Sequence, residues 1–417
     1  MLLTSILRIF LTRSFKQFVF HKKYSNQLLF QDLDNLGLYV HIPFCASICD
    51  FCPYFKVQYD ETLASSYIEA VLKEIELVCF NQTEKKIVTS LYFGGGTPAL
   101  VLSGMEKIIN KLNNYFYIKE GIGVELHPDN ISADTLDILK TSGVTMVSLG
   151  LQSFDNKFLD MLGRKSNDFI GKLELVKSYN FSVIDVDLIF GIPQQTKISL
   201  LNDIKTAFEH GATQVSTYPF IDFTFTNNNY KPMPGSVKKK MLTSIVHYAS
   251  LNNIERTSVW TFSKKETQKY SSITRESFLG FGSSATTLLR NIFKINTFSI
   301  HDYIKRINEN NLPTSLTLDF SKRQRACYFL FWACYSMWID YKAFKGITGK
   351  SLEKLYGFEL WLCCKFGLLK RENNGYRLTD KGSYIYHKIE QVYTTSYIDK
   401  SWNISRIQAF PEKIILK

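Results

Sequence analysis

Residues 39–52 read YVHIPFCASICDFC: a short apolar run, a break at Pro43, and then Cys45, Cys49 and Cys52 in quick succession. The run Leu38–Ile42 is predicted as a buried parallel strand. Intervals of three and then two residues let one loop wrap three corners of a cubane, and thiolates are the ligands that iron–sulfur clusters take. Three cysteines leave one iron of a [4Fe–4S] cluster without a protein ligand, open to a small molecule. Two other readings compete. Structural zinc prefers four ligands, usually as two separated pairs; His41 is near enough to be a fourth but sits on the strand. Unliganded core cysteines are the remaining alternative.

Downstream, strands and helices alternate. Apolar runs at Val88–Phe93, Ile122–Leu126, Val144–Leu149, Ser182–Phe190 and Ala212–Tyr218 read as further buried strands. Helical stretches lie between them at Glu61–Phe80, Ser103–Tyr115, Ser132–Thr141, Phe169–Tyr179 and Ile198–Glu209, with an N-cap signal at Ser132. About six β/α units in a row predict an α/β fold, a partial (β/α)6 TIM-like barrel whose working groups sit at the C-terminal strand ends. Phe220–Pro234 and Gly280–Ala285 read as loops, and Lys238–Asn253 as a helix. Beyond Leu316, helices at Arg323–Ile339 and Ser351–Phe366 precede a hairpin around Asn373–Gly375, which predicts a mostly helical, winged-helix-like C-terminal domain. The expected divisions are 1–36, 37–290 and 315–417.

The strand ends carry further polar motifs. YFGGGTP (92–98) follows a strand, and its glycines let backbone approach a ligand closely. Glu125 ends the next strand and can accept from hydroxyls or an ammonium. Gln152 ends another, Arg164 follows, and Asp187 lies inside an apolar strand where an acid needs a partner such as Arg164. Plain turns and solvated polar residues are the bland readings of each motif.

In spacing and order these motifs resemble the radical S-adenosylmethionine (SAM) enzymes, and within them the oxygen-independent coproporphyrinogen III oxidase superfamily, from about Gly37 to Ala285. The resemblance implies a radical SAM barrel, with a [4Fe–4S] cluster on Cys45, Cys49 and Cys52 and SAM at the open iron. It implies that Tyr39, Gly95 and Glu125 contact this SAM, and that Gly96, Thr97, Gln152, Arg164 and Asp187 face a second SAM or the equivalent substrate space. It implies an electron donor such as flavodoxin or ferredoxin, and a small-molecule substrate of tetrapyrrole type. Two departures stand out. The oxidases have another cysteine where this chain has Tyr54. Heme-chaperone relatives carry His-Asn-x-x-Tyr-Trp where residues 255–260 read ERTSVW. Oxidase-like chemistry is the expectation, with class C methyl transfer and heme carriage as alternatives.

The 417 residues carry a formal charge of +12. That balance suits nucleic acid, a membrane face or a carboxylate-rich ligand, but no concentrated basic face accompanies the winged-helix-like region, so nucleic acid is not an expected partner. The eight cysteines in a chain this long, without a secretory signal, do not make a disulfide framework. Residues 1–30 lack acids and read either as an amphipathic helix, docked on the protein or in peripheral membrane contact, or as a mitochondrial transit peptide. The expected compartment is the cytoplasm, or the mitochondrion for a eukaryotic chain.

Overall fold

The computed structural model describes residues 2–24, 27–165, 168–226, 228–268 and 276–416. Met1, Ser25 and Asn26 of the basic N-terminal stretch, and Lys417, lie outside the described residues. Six strands form the centre: β1 (Leu36–Ile42), β2 (Leu91–Gly95), β3 (Ile122–Leu126), β4 (Val144–Gln152), β5 (Val183–Phe190) and β6 (Gln214–Pro219). They pair in parallel in chain order. The helices Glu61–Cys79, Leu102–Asn113, Ala133–Thr141, Phe169–Ser178 and Lys197–Glu209 connect them. Side chains of Asp60, Ser132, Asp168 and Thr196 accept the orphan amides at four of these helix starts. Alternate strand residues such as Leu38, Val40, Val124, Val186 and Leu188 are fully buried and join the main apolar core.

The sheet runs further than the sequence pattern suggests. Residues predicted as a Gly/Ser turn begin instead within a seventh parallel strand, β7 (Ser277–Phe281), paired with β1. Gly280 allows this, because a Cβ there would lie 2.1 Å from the Thr286 carbonyl oxygen. Antiparallel strands Thr286–Leu289, Ile292–Asn296 and Thr314–Asp319 continue the sheet, and Phe18–His21 and Lys413–Leu416 end it. The sheet is therefore open, and it crosses the boundaries read at 36 and 290. The expected strand Val88–Phe93 is two pieces: Lys86–Val88 pairs with Phe116–Ile118 to one side, and only Leu91–Gly95 enters the main sheet.

The N-terminal stretch is a helix, Leu2–Thr12, packed on the helices Lys322–Tyr335 and Asp380–Tyr393 of the C-terminal region. There, helices Lys322–Tyr335, Tyr341–Thr348 and Leu352–Lys365 accompany a three-stranded sheet of Trp338–Asp340, Gly375–Leu378 and Leu369–Glu372. That is the expected helix-and-wing arrangement. Cys363 and Cys364 are half-buried against the core.

Candidate functional site at the barrel mouth

The inward-facing residues divide into a floor and a rim. Tyr92, Met146 and Val183 form a small interior cluster with Tyr39 packed on it, and the Tyr39 and Tyr92 rings stack at 6.2 Å. Above this apolar floor the inward positions become polar. Tyr39, Glu125 and Asp187 are only half-buried, although their strands are otherwise almost fully enclosed. They open into the mouth.

After β1 the chain forms a tethered loop. Phe44–Cys45 pairs with Val57–Gln58, Val57 N–H donates to the Pro43 carbonyl at 2.7 Å, and Tyr59 N–H to that of Cys45 at 2.9 Å. Lys56 Nζ donates to the Cys52 carbonyl at 2.8 Å. Phe51, between two of the cysteines, packs against Phe158, Leu162, Ile189, Ile192 and Phe220. The loop is thus anchored through its backbone and the Phe51 side chain, and not through the cysteine sulfurs. Cys45, Cys49 and Cys52 are free thiols. Cys45 is buried, which pushes its thiol up to about 11, and Thr97 Oγ1 donates to its sulfur at 3.7 Å. Among the described residues no three such ligands converge on a single-ion site. In a cubane each iron takes a different cysteine, so three thiols spread along one loop suit three irons of a cluster.

The glycine loop is pressed against this loop. Gly96 N–H donates to the Ile42 carbonyl and Thr97 N–H to that of Phe44, both at 2.7 Å. Gly95 has φ +117°, and a Cβ there would meet the His41 ring at 2.6 Å. His41 is held between two partners, Tyr39 Oη at 2.9 Å on Nδ1 and the Phe55 carbonyl at 3.0 Å on Nε2. A carbonyl only accepts, so Nε2 carries the proton and Tyr39 donates to Nδ1. Burial lowers His41 to about 4, which keeps it neutral. Glu125 accepts Tyr92 Oη at 2.9 Å and Gly95 N–H at 3.0 Å. Burial raises its carboxyl, and those two donors partly offset this.

A second group stands on β4 and β5. Gln152 has φ +74°, an uncommon conformation for a side-chain-bearing residue. Its turn is fastened by Asp203, which accepts Ser153 Oγ at 2.7 Å and Phe154 N–H at 3.0 Å. Gln152 Nε2 and the Arg164 guanidinium converge over Gly150, and Arg164 Nη1 donates to the Gly150 carbonyl. The sequence suggested Arg164 as a partner for Asp187. Asp187 instead accepts Ser148 Oγ at 2.9 Å, because Arg164 is turned to the backbone. Burial, then the carboxylates of Asp185 and Glu125, raise Asp187 well above the usual range. Asp185 accepts Gln214 and Ser216 and sits at about 6, raised by burial.

Two fastenings were not legible in the sequence. Glu74, buried on the first connecting helix, accepts Gly282 N–H at 2.7 Å, Tyr303 Oη at 2.6 Å and Asn296 Nδ2 at 3.0 Å. Its neighbour Tyr67 donates to the His41 carbonyl at 2.8 Å. This network ties the turn after β7 to β1, the strand that leads into the cysteine loop. The C-terminal helix Asp399–Ile407 supplies the other fastening. Arg406 Nη2 donates to the Pro53 carbonyl at 2.5 Å, Trp402 packs on Tyr54 at 6.0 Å, and Asp399 accepts Thr224 N–H at 2.8 Å. Trp260, at the end of the 255–260 stretch, donates Nε1 to His387 at 2.9 Å.

Residues 39–207 match the model of the Radical SAM superfamily. The heme chaperone HemW of Bacillus subtilis is 26% identical over 368 residues, 84% of this chain and 97% of that protein. The oxygen-independent coproporphyrinogen III oxidase of Pseudomonas aeruginosa is 25% identical over 306 residues, 66% of each. The solved structure of coproporphyrinogen III oxidase (HemN) from Escherichia coli, a radical SAM enzyme, superposes with a TM-score of 0.72 over 87% of this chain and 90% of that one. At 20% identity the likeness is one of fold.

Proposed function

We propose that the chain is a member of the radical SAM superfamily, in its coproporphyrinogen III oxidase-like group, and that it cleaves SAM reductively at a [4Fe–4S] cluster to act on a tetrapyrrole or similar small molecule. The observation that carries this reading is the triplet of free thiols on a loop tethered directly beside the glycine turn and Glu125. When bound, the cluster and SAM supply a 5′-deoxyadenosyl radical that abstracts hydrogen. The chain's own residues bind and orient. Cys45, Cys49 and Cys52 would hold three of the irons. The Gly95–Thr97 backbone, locked by Glu125 and His41, offers a rigid polar edge for the methionine end of SAM, with Tyr39 beside it. Gln152 and Arg164, converging over Gly150, and Asp187 with its raised carboxyl form the far wall, suited to a second SAM or to substrate. The C-terminal helix covers the cysteine loop through Arg406 and Trp402 and limits water there.

The test is anaerobic reconstitution followed by SAM and dithionite. Formation of 5′-deoxyadenosine, absent in Cys45→Ala, Cys49→Ala and Cys52→Ala variants, is the expected outcome. S-adenosylhomocysteine appearing alongside it would assign methyl transfer with two SAM molecules. Heme carriage is the second reading, favoured by the relative in B. subtilis that aligns over nearly its whole length. Tight heme binding with no SAM cleavage would establish it and overturn the first.

A further inference from the structure

The N-terminal helix docks through a mixed polar and apolar face, with Leu11 packed on the main core. It buries Thr4, Arg8 and Thr12, one every fourth residue, and leaves Ile6 and Phe10 exposed on the other side. A helix docked for its own stability presents its apolar stripe to the core. Here the most deeply buried positions are polar. Thr12 Oγ1 donates to the Arg8 carbonyl at 2.6 Å, and Arg8 donates to the Phe15 carbonyl at 3.2 Å. The Arg8 bond holds the following turn in place, with the Phe15 side chain 84% exposed.

A second exposed apolar set lies next to it. On the helix Leu352–Lys365, Phe358 and Trp361 are 62% and 55% exposed, with their rings stacked at 6.1 Å, and Phe366 follows, also exposed. The two sets are joined. Arg13 pairs with Glu359 and lies 4.8 Å from the Phe10 ring centroid, and Tyr356 Oη donates to the Leu11 carbonyl at 3.0 Å. Lys365 lies over the Trp361 ring at 5.0 Å. The result is one face of Ile6, Phe10, Phe15, Phe358, Trp361 and Phe366, edged by Arg13, Lys16 and Lys365. Glu359, on the same helix, is paired with Arg13. An apolar face built on two elements and rimmed by cations marks an interaction site.

We infer that this composite face seats the protein on the surface of a bilayer containing anionic lipid. Phe and Trp at interfacial depth, with Lys and Arg ammonium and guanidinium groups reaching the headgroups, are the side chains such a surface takes. Cations at the rim add attraction to an anionic leaflet. The same rim argues against a second copy as the occupant, since two like-charged edges of a chain carrying +12 would oppose each other. No described helix is long and apolar enough to cross a membrane, so the contact is peripheral. This inference is independent of the reading of the barrel mouth.

The test is sedimentation of the full chain with large unilamellar vesicles of phosphatidylcholine, with or without about one third phosphatidylglycerol. Binding to the anionic vesicles is expected, weakened by high salt. Replacing Phe10→Ser, Phe358→Ser and Trp361→Ser together should lower the partition coefficient by about tenfold or more. The thermal midpoint should stay unchanged, because all three side chains are exposed. Lys16→Glu with Lys365→Glu should reduce binding to anionic vesicles alone. Failure to bind anionic vesicles, or undiminished binding by the triple variant, would overturn the inference. So would a wild-type dimer in sedimentation equilibrium that the triple variant loses.

Discussion

Gly96→Ala tests whether the glycine turn and the cysteine loop are in contact through backbone. A Cβ at Gly96 would lie 2.5 Å from the Phe44 carbonyl oxygen and 2.9 Å from its carbonyl carbon and its nitrogen. Ordinary contact begins at 3.4 Å, so Phe44 must retreat by about 0.9 Å, from 2.5 to 3.4. Phe44 immediately precedes Cys45, and the two 2.7 Å backbone bonds at Gly96 and Thr97 would stretch with it. Overpacking costs roughly 1–3 kcal/mol, and two weakened hydrogen bonds add about 1 kcal/mol each. The expected loss is therefore about 3–5 kcal/mol. Gly94→Ala is the internal comparison. Its Cβ would meet side-chain atoms, Glu125 Oε1 at 2.9 Å and the Tyr92 ring at 3.0 Å. Those groups can yield, so the expected loss is below about 1.5 kcal/mol. The assay is the thermal midpoint of the metal-free protein by circular dichroism, then iron per chain after anaerobic reconstitution. Gly96→Ala should melt well below Gly94→Ala and retain less iron. A midpoint equal to wild type with full iron would show that the two loops do not touch as described.

Glu74 is held at about 7 by burial, against an ordinary 4.5. The native state keeps a proton that the unfolded chain gives up, so stability falls as pH rises through that window and is level on either side. The span corresponds to about 3 kcal/mol, and Glu74→Gln should flatten it; denaturation midpoints at about pH 4 and pH 8 that keep the wild-type difference would refute the assignment. Glu125→Ala leaves Gly95 N–H and Tyr92 Oη without their acceptor, each worth roughly 1–3 kcal/mol, and should weaken SAM cleavage as well as stability, read by product formation and melting. Arg406→Ala removes the donor to Pro53 and the stack on Phe225; amide exchange in residues 52–56 and 399–407 should quicken, and unchanged protection would show that the C-terminal helix does not hold the cysteine loop.

The local signals carried the barrel. Buried strands and amphipathic helices differ in period over five to fifteen residues, and the cysteine spacing and glycine turn lie within single loops. Tyr39, Gly95 and Glu125 are grouped by the family resemblance; Gly95 and Glu125 lie at the C-terminal ends of β2 and β3, and Tyr39 lies within β1. Other parts were illegible for a consistent reason. A buried polar residue is defined by its partners, and those partners are distant in the chain. Glu74 meets Gly282 at a separation of 208 residues, and Arg406 meets Pro53 at 353. The strand Phe18–His21 looked like part of a basic amphipathic stretch, because only pairing with Thr314–Asp319 and Lys413–Leu416 makes it a strand. Asp187 reads in the sequence as a partner for Arg164; in the fold it accepts Ser148 Oγ, while Arg164 donates to the Gly150 carbonyl and acts on Asp187 through its charge alone. The sequence by itself determined the α/β core, the thiol triplet and the glycine turn, through short-range period and spacing. Only the tertiary structure decided how the mouth is fastened, which carboxylates keep their protons, and which apolar face is left outward. Those depend on long-range hydrogen bonds and on burial, which no local pattern encodes.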